Sequence, residues 1–202
     1  MGERVKFREI KPELRILGID DCSFTPRKTG TATLIGIVFR GGLWLNGVMK
    51  TEVEVDGLDA TDKIVNMIRN SPHYDQLRVI MLNGITFAGF NVVNIRQAFE
   101  LTGLPVIALV KEEPNMEVVK MALKNLSNWE ERWKAIQDAG EIIKLSTRKA
   151  NIYMQTAGIS KEDAEKIVKI SCTRANIPEP LRVAHMVASG LTKPRAKIRK
   201  KV

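Results

Sequence analysis

Asp20 closes the short apolar run Ile16-Leu17-Gly18-Ile19, and Asn83 closes a second one, Val79-Ile80-Met81-Leu82, with Gly84 directly behind it. Runs of this length and composition read as buried strands. In a sheet with parallel strands, chemistry gathers at the strands' carboxyl ends. A carboxylate at one strand end and an amide oxygen at the next are both hard oxygen ligands, the type a divalent cation takes. An Asp ending a strand is by itself more often a turn former, so the metal reading gains weight only if the two strands are neighbours. Asp21 raises the local acidity, but alternation along a strand sends one of the acidic pair away from the other.

Further candidates flank these ends. Asp56, Asp59 and Asp62 lie before and inside an expected helix. Acids there ordinarily cap the helix and complement its dipole. Any of them could also complete a magnesium shell, which needs few protein oxygens, and spacing alone does not choose among them. Lys111 follows the strand-like Val106–Val110 and ordinarily marks the return to solvent; at the same sheet end as a metal it could hold a scissile phosphate. His185 stands three residues after Arg182 on the last expected helix. Helical histidines are mostly structural, yet one beside a metal could ligate it or move protons. His73 sits in a polar loop without such company. The glycine-bearing segment 83–91 is expected to lead into a helix and offer N–H groups to phosphate. It carries neither a P-loop nor a dinucleotide fingerprint.

The elements that would position these residues follow from hydrophobic pattern. Strands are expected over 14–21, 31–40 and 43–55, joined too tightly for helical crossovers and therefore antiparallel. A helix capped by Asp59 or Thr61 runs to about Arg69 with Ile64, Val65 and Ile68 on its apolar face. A strand at 78–82, a helix at 91–102 stopped by Gly103, and a strand at 105–110 imply parallel pairing with right-handed crossovers. Helices are expected over 115–126 and 128–139, with Trp129 and Trp133 on one face as packing residues. A short hairpin follows over 142–157. Ser160 caps a helix to about Ser171, and Pro178 and Pro180 introduce a last helix reaching Gly190. The fold class is α/β: a mixed sheet flanked by helices.

The 202 residues, 44% hydrophobic, suit one domain over 1–192 with a basic, disordered tail at 193–202. The formal net charge is +9, and six of the basic residues lie in the last ten positions, which leaves +3 for the body. Such a tail suits a polyanion, DNA or RNA, because each neutralised phosphate releases a counterion. No signal peptide or membrane-spanning run is legible, so a soluble cytoplasmic protein is expected. Cys22 and Cys172 lack zinc-ligand spacing and read as small buried hydrophobes.

Taken together, Gly18-Ile19-Asp20, Val79–Gly84, Ile107–Lys111 and Ile177–His185 resemble, in the right order, motifs of endonuclease V and of a mostly archaeal family related to it. The resemblance spans about residues 15–190. It implies an RNase H-like fold with a five-stranded mixed sheet, Mg²⁺ or Mn²⁺ as cofactor, and metal-dependent endonuclease activity of the DNA-repair type. It also implies Asp20, Asn83, Asp62 and His185 as metal ligands, Asp59 as an alternative acid, and Lys111 as a phosphate-binding residue. Two departures stand out. Active enzymes of that type carry Asp where this chain has Asn83, and their Pro-Tyr-Ile-Pro wedge is replaced here by Val53-Glu54-Val55-Asp56 before Gly57. A nucleic-acid-binding protein that has lost catalysis is the alternative.

Overall fold

The computed structural model describes residues 4–26, 28–146 and 151–192; the basic tail lies outside them. Strands β1 (Arg15–Asp21), β2 (Thr31–Arg40) and β3 (Trp44–Glu54) form the expected antiparallel meander, followed by α1 (Ala60–Arg69). After β4 (Val79–Asn83) come β5 (Thr86–Phe87) and β6 (Asn91–Val92), a small separate hairpin. The chain continues through α2 (Ile95–Thr102), β7 (Val106–Val110), α3 (Met116–Leu123) and α4 (Trp129–Asp138). It ends with β8 (Ile143–Ser146), β9 (Asn151–Ala157), α5 (Lys161–Ser171) and α6 (Glu179–Leu191).

The main sheet has seven strands in the order β3-β2-β1-β4-β7-β9-β8. β1, β4 and β7 are parallel neighbours, as the helical crossovers require. The expected five strands are therefore the core of a larger sheet. β9 lies antiparallel along β7, pairing Val106 with Ala157, and covers what would otherwise be an edge. The helix expected from residue 91 begins only at 95, because Asn91 and Val92 pair back with Phe87 and Thr86.

Alternation along β1 divides the two cores. Leu17 and Ile19 face α1 and α2 with Ile80, Leu82 and Ala108. Ile16 faces the other way with Val79, Met81, Ile107 and Leu109, under Ile167, Val168 and Leu181 of α5 and α6. Each fully buried aliphatic here contributes about 1.5–3 kcal/mol. Gly103 ends α2 at φ 68°, a left-handed cap that suits glycine. The Ser160 hydroxyl accepts from the Asp163 N–H, as the capping pattern predicts. Trp129 and Trp133 pack half-buried against Val92, Leu123 and Ile136, with Lys120 and Lys124 of α3 over their rings. A bulge shifts the β2–β3 register after Val38, so Leu45 opposite Phe39 and Val48 opposite Ile37 both fall on the α6 side.

Candidate functional site

Ile16, Gly18 and Asp20 alternate onto the α6 face of β1. Gly18 is required there: a Cβ on it would stand 2.4 Å from the Pro180 carbonyl carbon. The first turn of α6 therefore lies flush on the strand. Within that turn Glu179, buried at 2% exposure, accepts from Arg182 Nε and Nη2 at 3.0 and 2.7 Å. Farther along the helix, His185 reaches the strand end, where its Nδ1 lies 2.8 Å from Asp20 Oδ2. Asp20 is 3% exposed, and its Oδ1 accepts from the Asp21 N–H at 2.9 Å. With Nδ1–H donating to the carboxylate, Nε2 is the uncommitted ring nitrogen on a side chain that is 67% exposed.

The β1–β4 ladder pairs Ile19 with Leu82, so Asp20 and Asn83 are neighbours one step beyond it. Val79, Met81 and Asn83 share the face of Ile16 and Asp20 by alternation, and Asn83 is exposed. Ile107 and Leu109 belong to the same face, and exposed Lys111 follows directly after the end of β7 at the same sheet end. The structure thus brings Asp20, Asn83 and His185 to one edge and one face, with Lys111 one residue past the end of β7 at the same edge.

Asp59 and Asp62 do not join them. Asp59 Oδ1 accepts from the Glu54 N–H at 3.1 Å and from Asn91 Nδ2 at 2.6 Å, a structural commitment. Asp62 lines a polar cavity of about 340 Å³ with Thr61, Asn94, Glu131 and Arg132, on the opposite face of the sheet. Among the described residues, no three His, Cys, Asp or Glu side chains gather to hold a metal ion. The donor set at the strand ends is one carboxylate, one imidazole and one amide oxygen. That set suits an open octahedral cation whose remaining positions go to water and phosphate oxygens.

Sequence reasoning missed what fixes the segment after Asn83. Asp21 Oδ2 accepts from the Ala88 N–H at 2.7 Å, and Asp56 Oδ1 accepts from the Phe90 N–H at 2.8 Å. Between them Ala88 sits at φ 46° and Gly89 at φ 94°, the left-handed turn that closes the β5–β6 hairpin. Arg132, 3% exposed, reaches the same place from α4 and donates to the carbonyls of Asp56, Gly57 and Phe90 at 2.7, 2.6 and 2.5 Å. Burial lowers its basicity, an effect opposed by Asp56. Burial likewise pushes the Asp21 carboxyl above the usual range, against the Ala88 N–H and with help from Asp20. Neither the Ala88-Gly89 turn nor the reach of Arg132 was legible from local pattern. The phosphate-binding helix start expected after residue 91 is instead satisfied internally, since the Asn94 side chain accepts from the Gln97 N–H.

An apolar cavity of about 140 Å³ opens beside Gly84, lined by Ile85, Val110, Met116, Ile136 and Tyr153 among others. No helix among the described residues is long and apolar enough to cross a membrane.

The profile of the endonuclease dU family matches residues 12–192. A UPF0215 protein of Methanothermobacter thermautotrophicus is 56% identical over 191 residues, covering 94% of this chain and 93% of the relative. The crystal structure of a protein of unknown function from Archaeoglobus fulgidus superposes at TM-score 0.79 and 44% identity, covering 88% of this chain and 97% of that one. Endonuclease V of Bacillus subtilis follows at TM-score 0.60 and 12% identity, with 89% and 81% covered. At that identity the likeness is one of fold, and the fold is RNase H-like. Endonuclease V of Ciona intestinalis, solved with an inosine-containing DNA, has TM-score 0.57 and 17% identity, with 87% and 84% covered.

Proposed function

Because this chain belongs to the endonuclease dU family, we propose that it is a divalent-metal-dependent endonuclease hydrolysing phosphodiester bonds in DNA or RNA. The observation that carries this reading is the 2.8 Å pairing of Asp20 with His185 at the strand end shared with Asn83. Asp20 and the Asn83 amide oxygen would hold Mg²⁺ or Mn²⁺, with His185 beside them to support the cation or move a proton. Such a cation supplies Lewis-acid polarisation of a phosphoryl oxygen and a nucleophile from water near neutral pH. Lys111 would bind the scissile phosphate and offset charge developing on it. Asp20 orients the imidazole, so that Nε2 meets the substrate side of the site. The cavity beside Gly84 is apolar with Tyr153 and Thr86 on its wall, a lining suited to a base taken out of its stack. The family's name directs attention to dU, and the Ciona relative was solved with inosine in its DNA.

The test is cleavage of end-labelled single- and double-stranded DNA and RNA, carrying deoxyuridine, inosine or neither, with Mg²⁺ or Mn²⁺. Cutting should require the cation and fall at least ~100-fold in Asp20→Ala. Persistent cutting by folded Asp20→Ala would refute the assignment.

A second reading has its own support: Asn83 offers an amide where the resemblance to endonuclease V implies a carboxylate, and the described residues hold no three-residue cluster of strong metal ligands. On that reading the protein binds nucleic acid through this scaffold without cutting it. Salt-sensitive binding with no cleavage by wild type, in either metal, would favour it.

A further inference from the structure

Asn83 ends a strand beside Asp20 and is followed by glycine, and Asn-Gly pairs are chemically convertible to a carboxylate. We propose that Asn83–Gly84 is a latent metal ligand which matures by deamidation to the negatively charged residue. The proposal rests on the metal-site reading above, but its first step does not. The Gly84 nitrogen, losing its proton, bonds to Asn83 Cγ, and the side-chain nitrogen leaves as ammonia. Water then opens the resulting cyclic imide. Attack at Cγ restores the normal backbone with an aspartate side chain, and attack at the other carbonyl gives isoaspartate. Amide and water become carboxylate and ammonium; no electron changes hands and no reagent other than water is needed.

Three features of the site favour this chemistry. Asn83 is exposed at the last position of β4, so water can enter and ammonia can leave. Gly84 has φ 84° and no side chain to hinder closure of the five-membered ring. The ladder pairs Asn83 with Leu109 and goes no further, which makes this a strand end that can open locally without unfolding the sheet. One contact sets the rate: the Gly84 N–H donates to the Leu109 carbonyl at 2.8 Å and must be released before its nitrogen can attack. Maturation is therefore slow and faster on warming.

The chain carries its own reference. Asn46–Gly47 is the second Asn-Gly pair, in the bulged part of β3, where the His73 ring lies against Gly47. The product has a definite consequence at the site. Beside Asp20 it supplies a second carboxylate, and charge count is what tunes a hard-cation site.

The experiment follows the full-length protein, fresh and after warming at mildly alkaline pH, by peptide mass mapping of residues 83 and 46. The acidic form is separated by ion exchange, and its Mn²⁺ affinity is measured by paramagnetic resonance beside fresh wild type, Asn83→Gln and Asn83→Asp. The proposal expects the amide-to-acid mass shift at residue 83, with Mn²⁺ bound roughly tenfold more tightly by the acidic form and by Asn83→Asp. Asn83→Gln, whose longer side chain closes the ring far more slowly, should show no amide-to-acid mass shift at residue 83 after the same warming. Asn83 remaining an amide overturns the proposal, whether or not Asn46 converts. Conversion without a gain in affinity, while Asn83→Asp gains it, also overturns it and leaves the metal site standing. An Asn83→Asp protein that binds Mn²⁺ no better than wild type overturns the proposal and the metal reading together.

Discussion

Gly18 and Pro180 lie in such close contact that the first turn of α6 rests directly on β1, which sets His185 over Asp20. Gly18→Ala must lift that turn, at about 1–3 kcal/mol of overpacking. Cleavage should fall by more than the loss of folded protein explains, because the Asp20–His185 pair opens as the helix shifts. Urea unfolding and cleavage rates on the same preparation check both parts.

Lys111 is exposed beyond the end of β7, so its replacement leaves folding almost untouched. Lys111→Ala should nevertheless slow cleavage by roughly 100-fold if it meets charge developing on the phosphate. Lys111→Arg should recover part of that. Thermal melting in parallel with single-turnover rates separates this from a stability effect; equal rates in wild type and Lys111→Ala would remove the residue from the mechanism.

Arg132 satisfies the carbonyls of Asp56, Gly57 and Phe90 from a buried position. Arg132→Met keeps most of the bulk and orphans those acceptors. The expected destabilisation is about 3 kcal/mol, reduced from the sum of the orphans because the cost of burying the charge disappears with it. Arg132→Lys should recover only a fraction, since an ammonium cannot span three acceptors with a guanidinium's planar fork. Denaturant midpoints test the order wild type, Lys, Met.

Burial, with the Glu179 carboxylate as a lesser cause, pushes the Cys172 thiol up from 9.0 to about 12. The native thiol should therefore alkylate roughly 1,000-fold more slowly at pH 8 than the same residue in unfolded chain. Stability carries the matching sign. Below pH 9 the thiol is neutral in both states and contributes no pH dependence. From there to about pH 12 the unfolded chain ionises first, so stability falls as pH rises. Cys172→Ala should lose that alkaline component of the unfolding curve.

Much of the architecture was legible because its strands and helices are long and periodic. The β1–β3 meander, the apolar face of α1 and the Ser160 cap each follow from local pattern. The β5–β6 hairpin was not legible, since its strands are two residues long and its turn places Ala88, a residue with no preference for positive φ, at 46°. The site divides in the same way. Asp20 and Asn83 end apolar strands, and alternation carries them to one face, with Lys111 one residue past the end of a third. Asp59 and Asp62 carried no signal of face, and only the fold shows one spent on Asn91 and the other on the far side of the sheet. Arg132 looked like any arginine of an amphipathic helix.

The bulge in β3 also bears on how the molecule behaves in a crowd. β3 is an outer strand of eleven residues, and Trp44, Leu45 and Val48 are all more than half exposed on it. A flat strand of that length and greasiness would invite a neighbouring copy to extend the sheet. The register break interrupts the regular row of backbone donors and acceptors there, and exposed Lys50, Glu52 and Glu54 occupy the regular half that follows. At the other border β8 spans four of the described residues. Protection of this edge against pairing is thus vested in one irregularity and three charges.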